Sequence, residues 1–218
     1  MSTLKVENTV KIRRIKVDFD FTDLNHQVWN TAESVSIAKL WSGAEAEINR
    51  RASARLLWSE QHLLVRFDCE QGEPYVVNAD PQLTEETQRL WEKDVCEIFL
   101  APDGDEPERY FEFEVAPTGE WLDAAIRQLP DRRESDWSFD TGMQTAATMR
   151  DNGSTMIFRV EWQRLGQDSP RVGDRWRGNL FRCVGSGETR GYLAWQPTLT
   201  AKPNFHVPAR FGWFEFVD

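Results

Sequence analysis

Only three cysteines occur in the 218 residues, and Cys69, Cys96 and Cys183 form neither a CxxC pair nor any other metal-ligand spacing. That scarcity excludes a zinc ribbon and a disulfide framework. The three read as small buried hydrophobes in strand-like segments. Their odd number points to a reducing compartment, with one bridge plus a spare thiol as the alternative. Histidine is equally sparse: His26, His62 and His206 make no H-E-x-x-H pattern, and neither G-x-S-x-G nor a phosphate-cradling glycine loop occurs. No apolar run approaches the ~20 residues needed to span a bilayer. The opening "MSTLKVENTVKIRRIKVDFDF" lacks an apolar h-region and a small-residue cleavage site, so the chain as written reads as cytoplasmic, or as secreted if a leader has been trimmed. Positive charge is in the minority, 26 basic against 36 acidic residues for a net charge of −10. Polyanions meet repulsion over such a surface, so neither nucleic acid nor an acidic membrane is an expected partner.

What the chain has instead is aromatic weight and alternation. Ten Trp and thirteen Phe supply enough apolar area for a core and leave rings for the surface. In "HLLVRFDC", Leu63, Val65, Phe67 and Cys69 share one face; in "RYFEFEVA", Phe111, Phe113 and Val115 oppose Tyr110, Glu112 and Glu114. "STMIFRVEW", "RWRGNLFRCVG" and "GWFEFV" read as further strands. Turn signals such as "EQGEP", "APDGDEPE" and "GSGETRG" separate the runs, and Asn152-Gly153 marks a hairpin. Helical signals are few, the best being a Thr84 N-cap ahead of acidic residues. The expectation is one domain over residues 1–218, an all-β antiparallel sandwich of jelly-roll type with one or two short helices and residues 1–10 loosely ordered. Trp121, Trp137, Trp162, Trp176, Trp195 and Trp213 are assigned to the core or its margins, and Glu161 with Arg182 to a structural ion pair.

The chemistry concentrates in "LWEKDVCEIFLAP". Trp91 precedes a strand from Asp94 to Leu100, on which Cys96, Ile98 and Leu100 oppose Val95, Glu97 and Phe99. Glu97 is thus a carboxylate on a mostly apolar strand, where it needs a partner or water. Its plain reading is a salt bridge to a neighbouring strand.

The ordered set "VWNTAE", "ARLLWSEQHLLVRFDCE", "LWEKDVCEIFLAP", "RYFEFEVAPTGEWLD", "FRVEWQRLG", "GDRWRGNLFRC", "LAWQPT" and "NFHVPARFGWFEF" resembles carbohydrate-binding module family 9 and its stand-alone relatives, over nearly the whole chain. The resemblance implies a sandwich fold and non-catalytic binding of a mono- or oligosaccharide. It implies that Trp91 and Phe205 are the walls of an aromatic clamp and that Glu97 bonds the sugar hydroxyls. Phe205 stands where characterised binders resemble a Trp, and Glu112 and Glu114 stand where polar contacts, often an Arg, are found.

The physics agrees, because a pyranose presents C–H faces and a hydroxyl rim, matched by flat apolar walls and charge-assisted acceptors. Water competes for each hydroxyl, so such sites bind at roughly micromolar to millimolar levels, about −8 to −4 kcal/mol. The candidate carbohydrate-binding residues are therefore Trp91, Glu97, Phe205, Glu112, Glu114 and His206, the last read first as a loop-fixing hydrogen bond and second as a sugar contact.

Other readings stay open at this level. Glu97, Glu112, Glu114 and Asp94, or the turn "APDGDEPE", can hold Ca²⁺, which family members bind structurally. Glu97 with Glu112 or Glu114 can act as a glycosidase acid and base. The fold can also serve as a ligand-free interaction domain. Related DOMON-type sandwiches hold haem through His and Met, but Met143, Met149 and Met156 read as gap-fillers.

Overall fold

The computed structural model describes residues 8–17 and 19–218. Of the N-terminal ten, 1–7 lie outside the described residues, and Thr9 and Val10 already belong to a strand. The strands are β1 (Thr9–Arg14), β2 (Val35–Ile37), β3 (Lys39–Leu40), β4 (Ala52–Trp58), β5 (His62–Glu70), β6 (Val95–Ala101) and β7 (Arg109–Val115). They continue with β8 (Trp121–Gln128), β9 (Arg133–Asp136), β10 (Gln144–Arg150), β11 (Gly153–Glu161), β12 (Arg175–Val184), β13 (Gly191–Ala194) and β14 (Gly212–Val217).

Hydrogen bonds link them in the order β10-β11-β5-β4-β1-β14-β12-β6-β7-β8-β9. The path curls into two leaves that face each other, β10-β11-β5-β4 and β14-β12-β6-β7-β8-β9, joined through β1. Contacts across the gap fix this arrangement: Phe113 of β7 stacks on Phe158 of β11 at 5.8 Å, and Cys69 of β5 meets Cys96 of β6 at 3.4 Å between sulfurs. The sandwich expected from the alternation is present, with one difference. Strand β1 runs parallel to both β4 and β14, so the sheet is mixed rather than wholly antiparallel. A chain that enters between two leaves closes the seam from both sides, which removes two open edges.

Alternation sorts the side chains as expected. Cys96, Ile98, Leu100, Phe113 and Val115 enter the core between the leaves. Val95, Phe99, Tyr110, Leu122 and Phe181 form a second apolar cluster on the outer face of the second leaf. Strand β6 is consequently buried on both sides along its length. Trp162 and Trp176 pack edge-on against Phe216, and Trp58 Nε1 donates to the Val217 carbonyl.

Some local expectations are corrected. Of the short helix or turn expected after Thr84, the turn is what forms, in a loop 71–94 that includes the 3-10 turn Leu90–Glu92; among the described residues the helical pieces are six short 3-10 turns. The hairpin joins β10 to β11 with Arg150 paired to Gly153, so Asp151-Asn152 make the turn. Gly153 is required for a different reason, since a Cβ there would sit 2.4 Å from the Cys69 carbonyl oxygen on β5. Arg182 does not pair with Glu161. Its guanidinium is buried and donates to the Arg50 and Arg51 carbonyls and to Gln71 Oε1. Of the methionines, Met143 and Met156 are core fill and Met149 is exposed.

Strand β12 touches both β14 and β6 at Gly178, where a Cβ would lie 2.3 Å from the Phe99 carbonyl oxygen and 2.4 Å from the Phe214 ring. Neither backbone nor a packed ring can yield at low cost. Gly178→Ala should therefore destabilise the fold by roughly 3 kcal/mol, read from urea unfolding as a lower midpoint.

Candidate functional site

The outer cluster of the second leaf is roofed by loops, and between roof and sheet lies a cavity of about 510 Å³. Its floor comes from β6 and β7, which carry Glu97 and Glu112 into it. The pairing of β6 with β7 sets Glu97 opposite Glu114, and Glu112 lies two residues along on the same face. One oxygen from each of the three carboxyls falls within 4.8 Å of the others. All three are buried, and both oxygens of Glu114 and Oε2 of Glu112 lack a hydrogen-bond partner. Glu97 Oε1 receives only the Cys183 thiol, at 3.7 Å. The salt bridge that Glu97 would need as a plain structural residue is therefore replaced by two more acids.

Charge cannot be held cheaply there. Burial first, then the Glu112 charge, pushes the Glu97 carboxyl well above the usual range, and burial with both neighbours does the same to Glu114. Glu112 is pushed up by burial to about 7, against the pull of Arg133 from the rim. Tyr110 and His206 border the same group. Their hydroxyl and Nδ1 are 2.7 Å apart, and burial takes the imidazole down to about 3, leaving it neutral.

The aromatic lining is built from loops. Trp91 sits in a 3-10 turn, Leu90–Glu92, entered through Arg89 in the left-handed region at φ 62°. Leu90 plugs into the outer cluster, which leaves the indole beside it at the cavity wall, half-buried. Arg190 clasps this turn by donating to the Trp91 and Lys93 carbonyls, 2.7 Å each, and to the Gly185 carbonyl. The ring within stacking range of Trp91 is Trp137, at 5.4 Å and 32°. Trp137 is 37% exposed, so it is a wall residue and not core. Phe205 also lines the cavity, but its ring lies flat on Phe181 at 4.1 Å and 11° and is 7% exposed. His206 lines it as well, its ring stacked on Phe99 at 5.0 Å.

Five of the six residues selected from sequence, Trp91, Glu97, Glu112, Phe205 and His206, thus line one cavity, and Glu114 lies against its floor. Arg133, Trp137, Arg190 and Tyr192 were missed. Trp137 carried a signal, since it is the one aromatic between Arg132 and Ser138 in the otherwise polar run "RRESDWS".

Asp94 belongs elsewhere. Its carboxylate accepts from the Val76 and Gly185 N–H groups and from Gln71, fixing the loops around β6. The calcium set of Glu97, Glu112, Glu114 and Asp94 is therefore not assembled, and three sequestered carboxyls fall short of the six to eight oxygens calcium takes. In "APDGDEPE", Asp103 caps its own turn by accepting from the Asp105 N–H. A larger groove of about 1180 Å³ is bordered by Arg109, Arg127, Asp168 and Trp176, but its charged lining residues are exposed and solvated.

The chain is similar to Endo-1,4-beta-xylanase A of Thermotoga neapolitana, 24% identical over an alignment of 220 residues that covers 96% of this chain; the chain spans only 18% of that xylanase. A candidate carbohydrate-binding protein from Bacteroides uniformis superposes with a TM-score of 0.73 at 18% identity, over 96% of this chain and 99% of its own. A family 9 carbohydrate-binding module from Caldicellulosiruptor kristjanssonii, solved with cellotriose and with glucose, superposes at 0.66 and 14% identity, covering 96% and 95% of this chain and 93% and 95% of its own. The family model described as carbohydrate family 9 binding domain-like matches residues 23–218, and with nine-tenths of its length so matched the chain belongs to that family.

Proposed function

We propose that the protein binds a saccharide without catalysis, taking a terminal sugar residue into the cavity beside Trp91. The observation that carries this reading is the joining of flat rings to a polar floor: Trp91, Trp137 and Phe205 border the same space as Glu97 and Glu112. Rings meet the C–H faces of a pyranose, and carboxyls meet its hydroxyls. The contact pattern differs from a clamp made of Trp91 and Phe205 alone. Trp91 and Trp137 together offer one broad indole surface, and Phe205, backed by Phe181, offers a small immobile patch. A closed floor suits a chain end better than a polymer passing through. Family relatives bound to glucose and cellotriose support glucose-type sugars as the first class to try.

The floor works differently from a set of charged acceptors. Burial pushes the carboxyls of Glu97 and Glu114 well above the usual range, which favours their protonated forms, and a protonated acid both donates and accepts. A sugar hydroxyl needs both.

Trp91→Ala should weaken glucose or cellotriose binding by about 10- to 100-fold, which corresponds to ~1.4–2.8 kcal/mol, read by titration calorimetry. Trp213→Ala, at a ring covered by Arg175 and Arg177 away from the cavity, should leave affinity unchanged. Equal affinity in the Trp91 variant would move the site elsewhere, and a wild-type chain silent toward a broad panel of mono- and oligosaccharides would end the proposal.

The acids also set a pH dependence of folding. A carboxyl raised in the folded state contributes stability that is complete below its unfolded value and is lost as pH rises through its folded value. For Glu112 the window runs from about 4.5 to about 7, a change on the order of 3 kcal/mol. Urea unfolding from pH 4 to 8 should show falling stability for the wild type and a flatter profile for Glu112→Gln.

A further inference from the structure

The floor of the cavity holds more acid than a neutral sugar can use. Glu97, Glu112 and Glu114 are each 4% exposed or less, and one oxygen from each falls within 4.8 Å of the others. Once protonated, Glu112 and Glu114 can hydrogen-bond each other. Among the described residues no other donor reaches Glu112 Oε2 or either oxygen of Glu114. Glu97 and Glu112 line the cavity, so this unmet acceptor capacity opens onto space that a ligand can occupy.

The neighbouring cations do not fill the deficit. Arg133 and Arg190 act on the floor from a distance, and among the described residues no ion pair joins the three acids to any base. Arg190 donates to the Gly185, Trp91 and Lys93 carbonyls, and Arg133 is exposed on β9. The remaining titratable groups add no positive charge. Glu92 pairs with Arg89, burial pushes the Cys183 thiol and the Tyr110 hydroxyl up, and burial holds the His206 imidazole down at about 3.

A sugar hydroxyl offers one proton to one acceptor, whereas an ammonium offers three N–H donors and a full charge. Hydrogen bonds between a charged donor and a carboxylate are shorter and stronger than neutral ones, and burial strengthens them further. Three acids also offset the desolvation of one cation better than a single acid does. The space of about 510 Å³ beside the Trp91–Trp137 surface accepts a pyranose-sized ring next to that group.

We infer that the cavity selects a sugar that brings its own cation, an amino sugar whose ammonium docks on Glu97, Glu112 and Glu114 while its ring lies against Trp91 and Trp137. This rests on the saccharide reading above and narrows its class. Docking an ammonium favours the ionised acids, so protons leave the floor as the ligand enters. Affinity therefore rises as pH climbs towards the raised carboxyl values, that of Glu112 at about 7 among them.

The test is titration calorimetry of the whole chain with glucosamine, glucose and ethanolamine. At pH 7 glucosamine should bind at least about 10-fold more tightly than glucose. That ratio should grow from pH 5 to 7, and buffers of different ionisation enthalpy should report proton release with glucosamine but not with glucose. Trp91→Ala should weaken both sugars. Glu112→Gln and Glu114→Gln, their folding checked by urea unfolding, should cut glucosamine affinity more than glucose affinity and bring the ratio towards one, an effect that a merely structural role would not produce. Glucose binding with no preference for glucosamine would overturn the inference and leave the saccharide reading standing; silence toward both sugars would end both. Ethanolamine binding as tightly as glucosamine would also overturn it, because the ring would then contribute nothing. So would a ratio unchanged in both Gln variants, which would place the ammonium elsewhere.

Discussion

Three carboxyls share one face of the β6–β7 pair, and the rest of the site is arranged around the difficulty of keeping them there. Glu97, Glu112 and Glu114 stand in a neighbourhood otherwise made of Val95, Phe99, Tyr110 and Phe181. Buried charge of one sign is unstable, so burial pushes all three carboxyls upward and favours their protonated, hydrogen-bonding forms. Arg133 and Arg190 border the cavity, and Arg190 spends its donors on backbone carbonyls rather than on the acids. A face built only for stability would carry apolar residues here, and a departure from that rule is the kind expected at a functional site.

The loops over this face are tied to strands by single polar residues. Glu120 holds Asn78, Gln82, Thr87 and Thr118, Asp94 holds Val76 and Gly185, and Arg190 holds the Trp91 turn. A loop as long as 71–94 would otherwise keep a large conformational entropy. Anchoring it at several points holds the Trp91 turn in place against the strands.

The expected and observed structures part company at identifiable residues. Alternation along β5, β6, β7 and β11 was legible because each strand separates a core from another environment, and period 2 survives that separation. The family landmarks carried Trp91, Glu97 and Phe205 to one cavity. Arg133 and Arg190 were not legible, because each reaches the cavity from a loop or edge strand with no periodic pattern, and Trp137 showed only as a lone aromatic in a polar run. The turn at Asp151-Asn152 moved by one residue because Gly153 is demanded by the neighbouring strand, a long-range constraint.

By itself the sequence determined which residues point to opposite sides of each strand, since side-chain direction is a local property of extended backbone. It thereby determined that Glu97, Glu112 and Glu114 cannot share the core with Ile98 and Phe113. Only the tertiary structure decided that the three acids meet, that Phe205 lies against Phe181 while Trp137 lies beside Trp91, and that Glu86 and Asp140 close on Asp123. Those meetings join segments tens of residues apart, and strand pairing and loop packing, not local preference, set the distances between them.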